Sequence, residues 1–151
     1  MKVYIAGDHR GVDLKKELIK YLSSNEIDVC EIGIDNYDTD DYPDFAFKLG
    51  SLIKETPHSL GILFCSNGIG ISIAANKVKG IRCARVIDVD DAFKCKNHNG
   101  CNVIALGSNL QLDLVKEIVD TFISTKEVSD ERHLRRVNKV INYENGAYNE
   151  L

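Results

Sequence analysis

Short apolar runs alternate with amphipathic segments along this chain, and that alternation restricts the fold more than any other feature. The runs are "KVYIAG" (2–7), "VCEIG" (29–33), "LGILFC" (60–65), "IRCARVI" (81–87) and "NVIALG" (102–107). Near-continuous apolar runs of this length read as strands buried on both faces. After the first run, Val12, Leu14, Leu18, Ile19 and Leu22 recur at helical spacing. "IDNYDTDDYPD" (34–44) is polar and turn-rich, so it reads as a loop. Pro43 suits the first turn of a helix carrying Phe45, Ala46, Leu49, Leu52 and Ile53. "ISIAANKV" (71–78) reads as a helix. "DVDDAFKCKNHNG" (88–100) reads as a short helix, with Asp88 as N-cap and Gly100 just past its end. "LQLDLVKEIVDTFIST" (110–125) and "DERHLRRVNKVINYENG" (130–146) are two longer amphipathic helices. Strands separated by helices imply a parallel α/β sheet with helices on both faces. No strand follows the last helix, so it is free to leave the body of the sheet.

At 151 residues the chain reads as one domain spanning 1–151. A net charge of −4 argues against bulk nucleic-acid binding, which needs a basic footprint. No apolar run approaches the ~20 residues of a membrane span, and the first residues read as a strand rather than a signal peptide. The expectation is a cytoplasmic protein without a membrane or nucleic-acid partner. The cysteines are Cys30, Cys65, Cys83, Cys95 and Cys101, an odd number without C-x-x-C, so a disulfide framework is not expected. Cys95, His98 and Cys101 offer three ligands, but a structural zinc site takes four, usually as two spaced pairs. No metal or cofactor is expected.

The stretch "GILFCSNGIGISIAANK" (61–77) stops an apolar strand on Cys65 and follows it with small polar residues and glycines. Gly68 and Gly70 allow a tight turn whose amides face a ligand. The positive end of a helix favours a thiolate, which suits Cys65 as base or nucleophile. The competing reading is a small buried residue that finishes a strand. The loop lacks the third glycine of a dinucleotide fingerprint and the Gly-Lys-Ser/Thr ending of a P-loop. A general anion cradle remains, with Ser66 or Asn67 as helix cap.

In open α/β sheets ligands sit beyond the carboxyl ends of the strands. "GDHRG" (7–11), "TDDYPD" (39–44), "CSNGIG" (65–70) and "KNHNG" (96–100) are expected to converge on that edge. His98 reads either as a solvated or capping residue or as a general acid-base near its working pH. Asp8 is either a helix cap or a ligand contact, and His9 follows it. Arg132 and Arg136 share one helix face, opposite Leu134, Val137 and Ile141. They are either a solvated charged face or a pair that holds phosphate.

Together, "GDHRG", "DYPD", "CSNGIGISIAANK", "GIRCA", "HNGCNVIALG" and "RHLRRV" resemble the type B ribose-5-phosphate isomerase family, which includes galactose-6-phosphate isomerase subunits. The likeness runs from about residue 2 to residue 142 and is most specific in "GIGISIAANK" and in the His-Asn-x-x-Asn-Val pattern at 98–103. The resemblance implies a Rossmann-like three-layer α/β/α fold with a five-stranded parallel sheet and an extra C-terminal helix. It implies a homodimer or dimer of dimers with shared active sites. It implies conversion of D-ribose 5-phosphate to D-ribulose 5-phosphate without metal or cofactor. By the same resemblance Cys65 is the base that moves a proton between C2 and C1, and His98 opens the furanose ring. Asp8, His9, Tyr42 and Asn99 contact the sugar. The amides of Ser66, Asn67, Gly68, Ile69 and Gly70 steady the enediolate, and Arg132 and Arg136 bind phosphate with help from His9.

The chain departs from the family pattern at three places. Ser66 and Asn67 stand where the family has glycine and then threonine or serine. Asn109 stands where arginine is frequent, which removes one phosphate contact. Two other readings are open: an isomerase of another phosphosugar (galactose or allose 6-phosphate, or a tetrose phosphate), or a non-catalytic flavodoxin-like phosphate binder. Retention of Cys65, His98 and both arginines argues against the binder, which needs no base.

Overall fold

The computed structural model describes residues 1–33 and 40–148. Its sheet strands are β1 (Lys2–Gly7), β2 (Asp28–Glu31), β3 (Leu60–Cys65), β4 (Cys83–Arg85) and β5 (Val103–Gly107). The helices are α1 (Val12–Ser24), α2 (Tyr42–Glu55), α3 (Ile69–Ala75), α4 (Val89–Asn99), α5 (Leu112–Ser124) and α6 (Glu131–Glu144). All strand pairs are parallel, in the order β2-β1-β3-β5-β4. The expected α/β fold with its extra C-terminal helix is therefore present.

Alternation along the strands divides the core into two layers. Val3 and Ile5 of β1 and Ile62 and Phe64 of β3 join Leu18, Val115 and Phe122 on one face. Tyr4 and Ala6 of β1 and Leu63 and Cys65 of β3 join Ala46, Leu49 and Ile71 on the other. All six residues of β3 are buried, as a central strand covered on both faces requires. Each large apolar side chain buried this way contributes about 1.5–3 kcal/mol.

Boundaries differ where side chains capture the backbone. The strand expected over 81–87 is only Cys83–Arg85. Before it, Asn102 Oδ1 accepts the Arg82 amide and Asn76 Oδ1 accepts the Cys83 amide. The second strand ends at Glu31 rather than 33, because Gly33 turns the chain at φ +89°. The third helix starts at Ile69, two residues before the expected start. Asp88 caps α4 by accepting the Asp91 amide, and Gly100 ends it at φ +59°, both as expected. The loop expected over 34–44 falls outside the described residues at 34–39, including Thr39.

The last helix keeps a contact with its own chain. It packs on α4, burying Val137 and half-burying Leu134 and Ile141, while Val140 and Tyr143 stay exposed. Among the described residues no helix is long and apolar enough to cross a membrane.

Candidate active site

The sheet order changes direction between β1 and β3, and ligands of such sheets bind beyond the strand ends at that point. Cys65 is the last residue of β3 and is 4% exposed. Its Sγ accepts the Gly68 amide hydrogen at 3.2 Å. Gly68 has φ +76°, and a Cβ there would lie 3.1 Å from the Ala105 carbonyl oxygen, so a side chain would be strained and tightly packed. Gly68 is the N-cap of α3, which corrects the expectation of Ser66 or Asn67 in that place. Asn67 still serves the helix, since its Oδ1 accepts the Ile69 amide at 3.0 Å. The carbonyl of Asn67 in turn accepts from Arg85 Nε at 2.8 Å, tying the loop to β4. Ser66 is exposed and caps nothing; its carbonyl takes the Ser108 hydroxyl at 3.3 Å. Asn109 folds its side-chain oxygen over Gly107, beside Asn67. Tyr42 lies against Gly70, where an added Cβ would meet the ring at 2.7 Å.

Asp8 and His9 leave β1 beside this loop, and Asp8 N–H donates to the Phe64 carbonyl. Asp8 caps the 3-10 turn His9–Gly11 by accepting the Arg10 amide at 2.9 Å. His9 gives both its amide and its Nδ1 to Asp40 Oδ1, at 3.0 and 2.6 Å. A carboxylate only accepts, so Nδ1 carries the hydrogen and Nε2 is left to meet a ligand. Burial pushes the Asp8 carboxyl above the usual aspartate range, offset in part by the Arg10 amide and His9, with Asp40 adding to the rise. Asp8→Asn is therefore expected to raise the melting temperature at neutral pH by about 1–4 °C. Asparagine keeps an oxygen for the Arg10 amide and has no charge to desolvate. The penalty on the carboxylate is absent below the unfolded aspartate pKa and grows as pH rises through the higher folded value. Melts at decreasing pH should show the gain shrinking; a lower midpoint at neutral pH would contradict this account.

His98 and Asn99 are not at this edge. Crossover helices run antiparallel to their strands, so the last turn of α4 returns to the amino ends. Asn102 bonds to Gly61, the second residue of β3, and Val103 is in register with Gly61. Cys65 is four residues farther along β3, or about 13 Å at strand rise. The expected convergence of "KNHNG" (96–100) with the other three segments is thus corrected within one chain.

The second edge has its own cluster. His98 stacks on His133 with ring centroids 4.2 Å apart and planes 9° from parallel. Phe93 meets His98 edge-on at 6.1 Å. Burial lowers the His133 pKa, and His98, then Arg132, add to the drop. These effects disfavour a charge on His133, whose ring face lies against His98. Asn99 and Arg136 line one cavity together with Val137. Arg132 is exposed near Asp130, with Nε 3.5 Å from Oδ1. One chain thus presents two groups of the expected site residues. Asp8, His9, Tyr42, Cys65 to Gly70 and Asn109 form one group, and His98, Asn99, Arg132 and Arg136 the other. Among the described residues no three His, Cys, Asp or Glu side chains are grouped to hold a metal, and Cys95 and Cys101 are buried while His98 stacks.

Three contributors were not assigned from the sequence: Asp40 behind His9, Arg85 behind Asn67, and His133 behind His98. Asp40 stood in a segment already singled out, and His133 adjoins Arg132. Nothing in the spacing of Arg85 signalled its contact, which depends on β4 and α3 meeting in space.

Residues 3–140 match the family model described as Ribose/Galactose Isomerase. A ribose-5-phosphate isomerase B structure from Clostridium thermocellum is 39% identical, with a TM-score of 0.90, covering 97% of this chain and 99% of that one. A ribose-5-phosphate isomerase B from Mycoplasma genitalium, solved with bound ribulose-5-phosphate, is 37% identical with a TM-score of 0.89, covering 95% and 96%. A Bacillus subtilis relative named only as a sugar phosphate isomerase is 38% identical over 146 residues, covering 95% and 97%.

Proposed function

The chain belongs to the ribose/galactose isomerase family and is a sugar phosphate isomerase; from that premise we propose that it interconverts D-ribose 5-phosphate and D-ribulose 5-phosphate. The observation that carries the chemistry is the Cys65 Sγ held by the Gly68 amide in a glycine turn at the switch point. As a thiolate this sulfur can take the C2 proton of an open-chain aldose and return it at C1. Charge passes to the sugar oxygens as the enediolate forms. The Gly68 and Ile69 amides already serve Cys65 and Asn67. The amides of Ser66, Asn67 and Gly70 are the ones assigned to the oxyanion, narrowing the set expected from sequence. Asp8 and the free Nε2 of His9 hold the sugar hydroxyls, with Tyr42 against the chain. No metal or cofactor has a part in this scheme.

Ring opening and phosphate binding fall to His98, Asn99, Arg132 and Arg136. They lie at the other edge of the same chain, so a complete site is assigned to two copies, each supplying one edge to the other. Assembly as a homodimer, or as a dimer of dimers, follows from this assignment.

The test of substrate is an isomerase assay on a panel of phosphosugars. Turnover of ribose 5-phosphate at least ~10-fold above hexose and tetrose phosphates in kcat/KM is expected. Preference for a hexose 6-phosphate would replace the pentose assignment while leaving the isomerase reading intact. His98→Asn divides the roles further. It should lower kcat/KM for ribose 5-phosphate by about 10²-fold and cost much less with a 4-phosphorylated tetrose, which cannot form the furanose ring. Equal losses on both substrates would remove ring opening from His98.

A further inference from the structure

A second cationic cavity lies at the amino edge of the sheet, with a volume of about 200 Å³. Arg82, Lys96, His58 and Glu127 line it, together with Ser59 and Asn102. None of these residues belongs to either group of the proposed active site.

Lys96 is the unusual member. The residue is 6% exposed, with its ammonium 5.3 Å from the Phe122 ring centroid. Apart from that ring, Nζ has no hydrogen-bond or ion-pair partner among the described residues. Burial holds its pKa below the usual lysine value, against the pull of the exposed Glu127. The stem is buried while the ammonium reaches the cavity, and an anion there would give it a charge-assisted hydrogen bond.

Arg82 is fixed in place for such an anion. Its amide donates to Asn102 Oδ1 at 2.9 Å, and its Nε donates to the Gly100 carbonyl at 2.9 Å. Its terminal guanidinium nitrogens remain available. Ser59 gives its hydroxyl hydrogen to Thr56, and Asn102 gives one of its two side-chain amide hydrogens to Gly80. The charged donors facing the cavity are those of Lys96 and Arg82.

We propose that this cavity binds a phosphate group, held between Lys96 and Arg82, as a site separate from the substrate phosphate anchor. Arg82 also lines the neighbouring cavity with Asn99 and Arg136, so an occupied site stiffens the turn that carries His98 and Asn99.

Calorimetric titration of the full chain with inorganic phosphate tests this, using Arg136→Ala to weaken the substrate anchor. Arg136→Ala should still show saturable binding of one phosphate per chain. Adding Lys96→Met, which keeps the packing on Phe122, should weaken that binding at least ~10-fold, and Lys96→Gln should do the same. Phosphate should raise the melting temperature of Arg136→Ala but not of either double variant. A parallel titration with glycerol 3-phosphate separates the sources. Binding as tight as phosphate identifies a phosphomonoester, and binding of phosphate alone identifies the free anion. No saturable binding to Arg136→Ala, or equal affinity in a folded double variant, overturns the proposal.

Discussion

Cys65→Ala is expected to lower kcat by at least ~10³-fold while the dissociation constant for a phosphosugar changes by less than ~3-fold. In the proposed scheme the sulfur exchanges the carbon-bound proton, while Asp8 and His9 hold the sugar. Asp8 turns its oxygen to the Arg10 amide, and His9 is committed through Nδ1 to Asp40. Alanine fits the space, because Cys65 packs as a small apolar residue among Ala6, Leu63 and Ile71. It removes the acceptor of the Gly68 amide, but Asn67 still holds the loop through Ile69 and Arg85, so the turn should persist. In the proposed scheme binding depends on groups at other positions, including the two arginines. Single-turnover kinetics and a direct binding measurement on the purified variant separate the two effects. Retention of activity within ~10-fold of wild type would remove Cys65 from proton transfer.

The layered fold was legible because its signals are local. Strands buried on both faces need continuous apolar runs, and β3 supplies six buried residues in a row. The stop at Cys65 and the glycines after it were legible for the same reason, since a strand-to-helix turn needs them within a few residues. Edges of the sheet were misjudged for "KNHNG", because the helix closes before β5 and its end belongs to the amino side. The chain order contained that fact, but reading every polar segment as a strand terminus concealed it. The stacking of His133 on His98 depends on α6 meeting α4, which no residue spacing encodes. Lys96 shows the limit from the other side. In "KCKNHN" it looks like one more solvated cation, and only the packing around Phe122 buries it.

The division of site residues between two edges gives the most demanding expectation, which is complementation between inactive subunits. Cys65→Ala spoils the carboxyl-edge half of its chain, and Arg136→Ala spoils the amino-edge half. Each homodimer has two defective sites. In a heterodimer one site joins both defects, and the other joins the intact Cys65 half of one subunit to the intact Arg136 half of its partner. Random reassortment makes half of all dimers mixed, so activity should return to about a quarter of wild type. The geometry also specifies a pair that must fail. Gly70→Val drives bulk into the Tyr42 ring, on the same edge as Cys65. Subunits carrying Cys65→Ala and Gly70→Val place a defect in every site of every dimer, and mixing them should restore nothing. Mixed tags purified in tandem establish that subunits have exchanged. With exchange shown, recovery for the opposite-edge pair and none for the same-edge pair is the pattern a shared site produces. Absence of recovery for the opposite-edge pair would mean that His98, Arg132 and Arg136 do not act on the partner's Cys65.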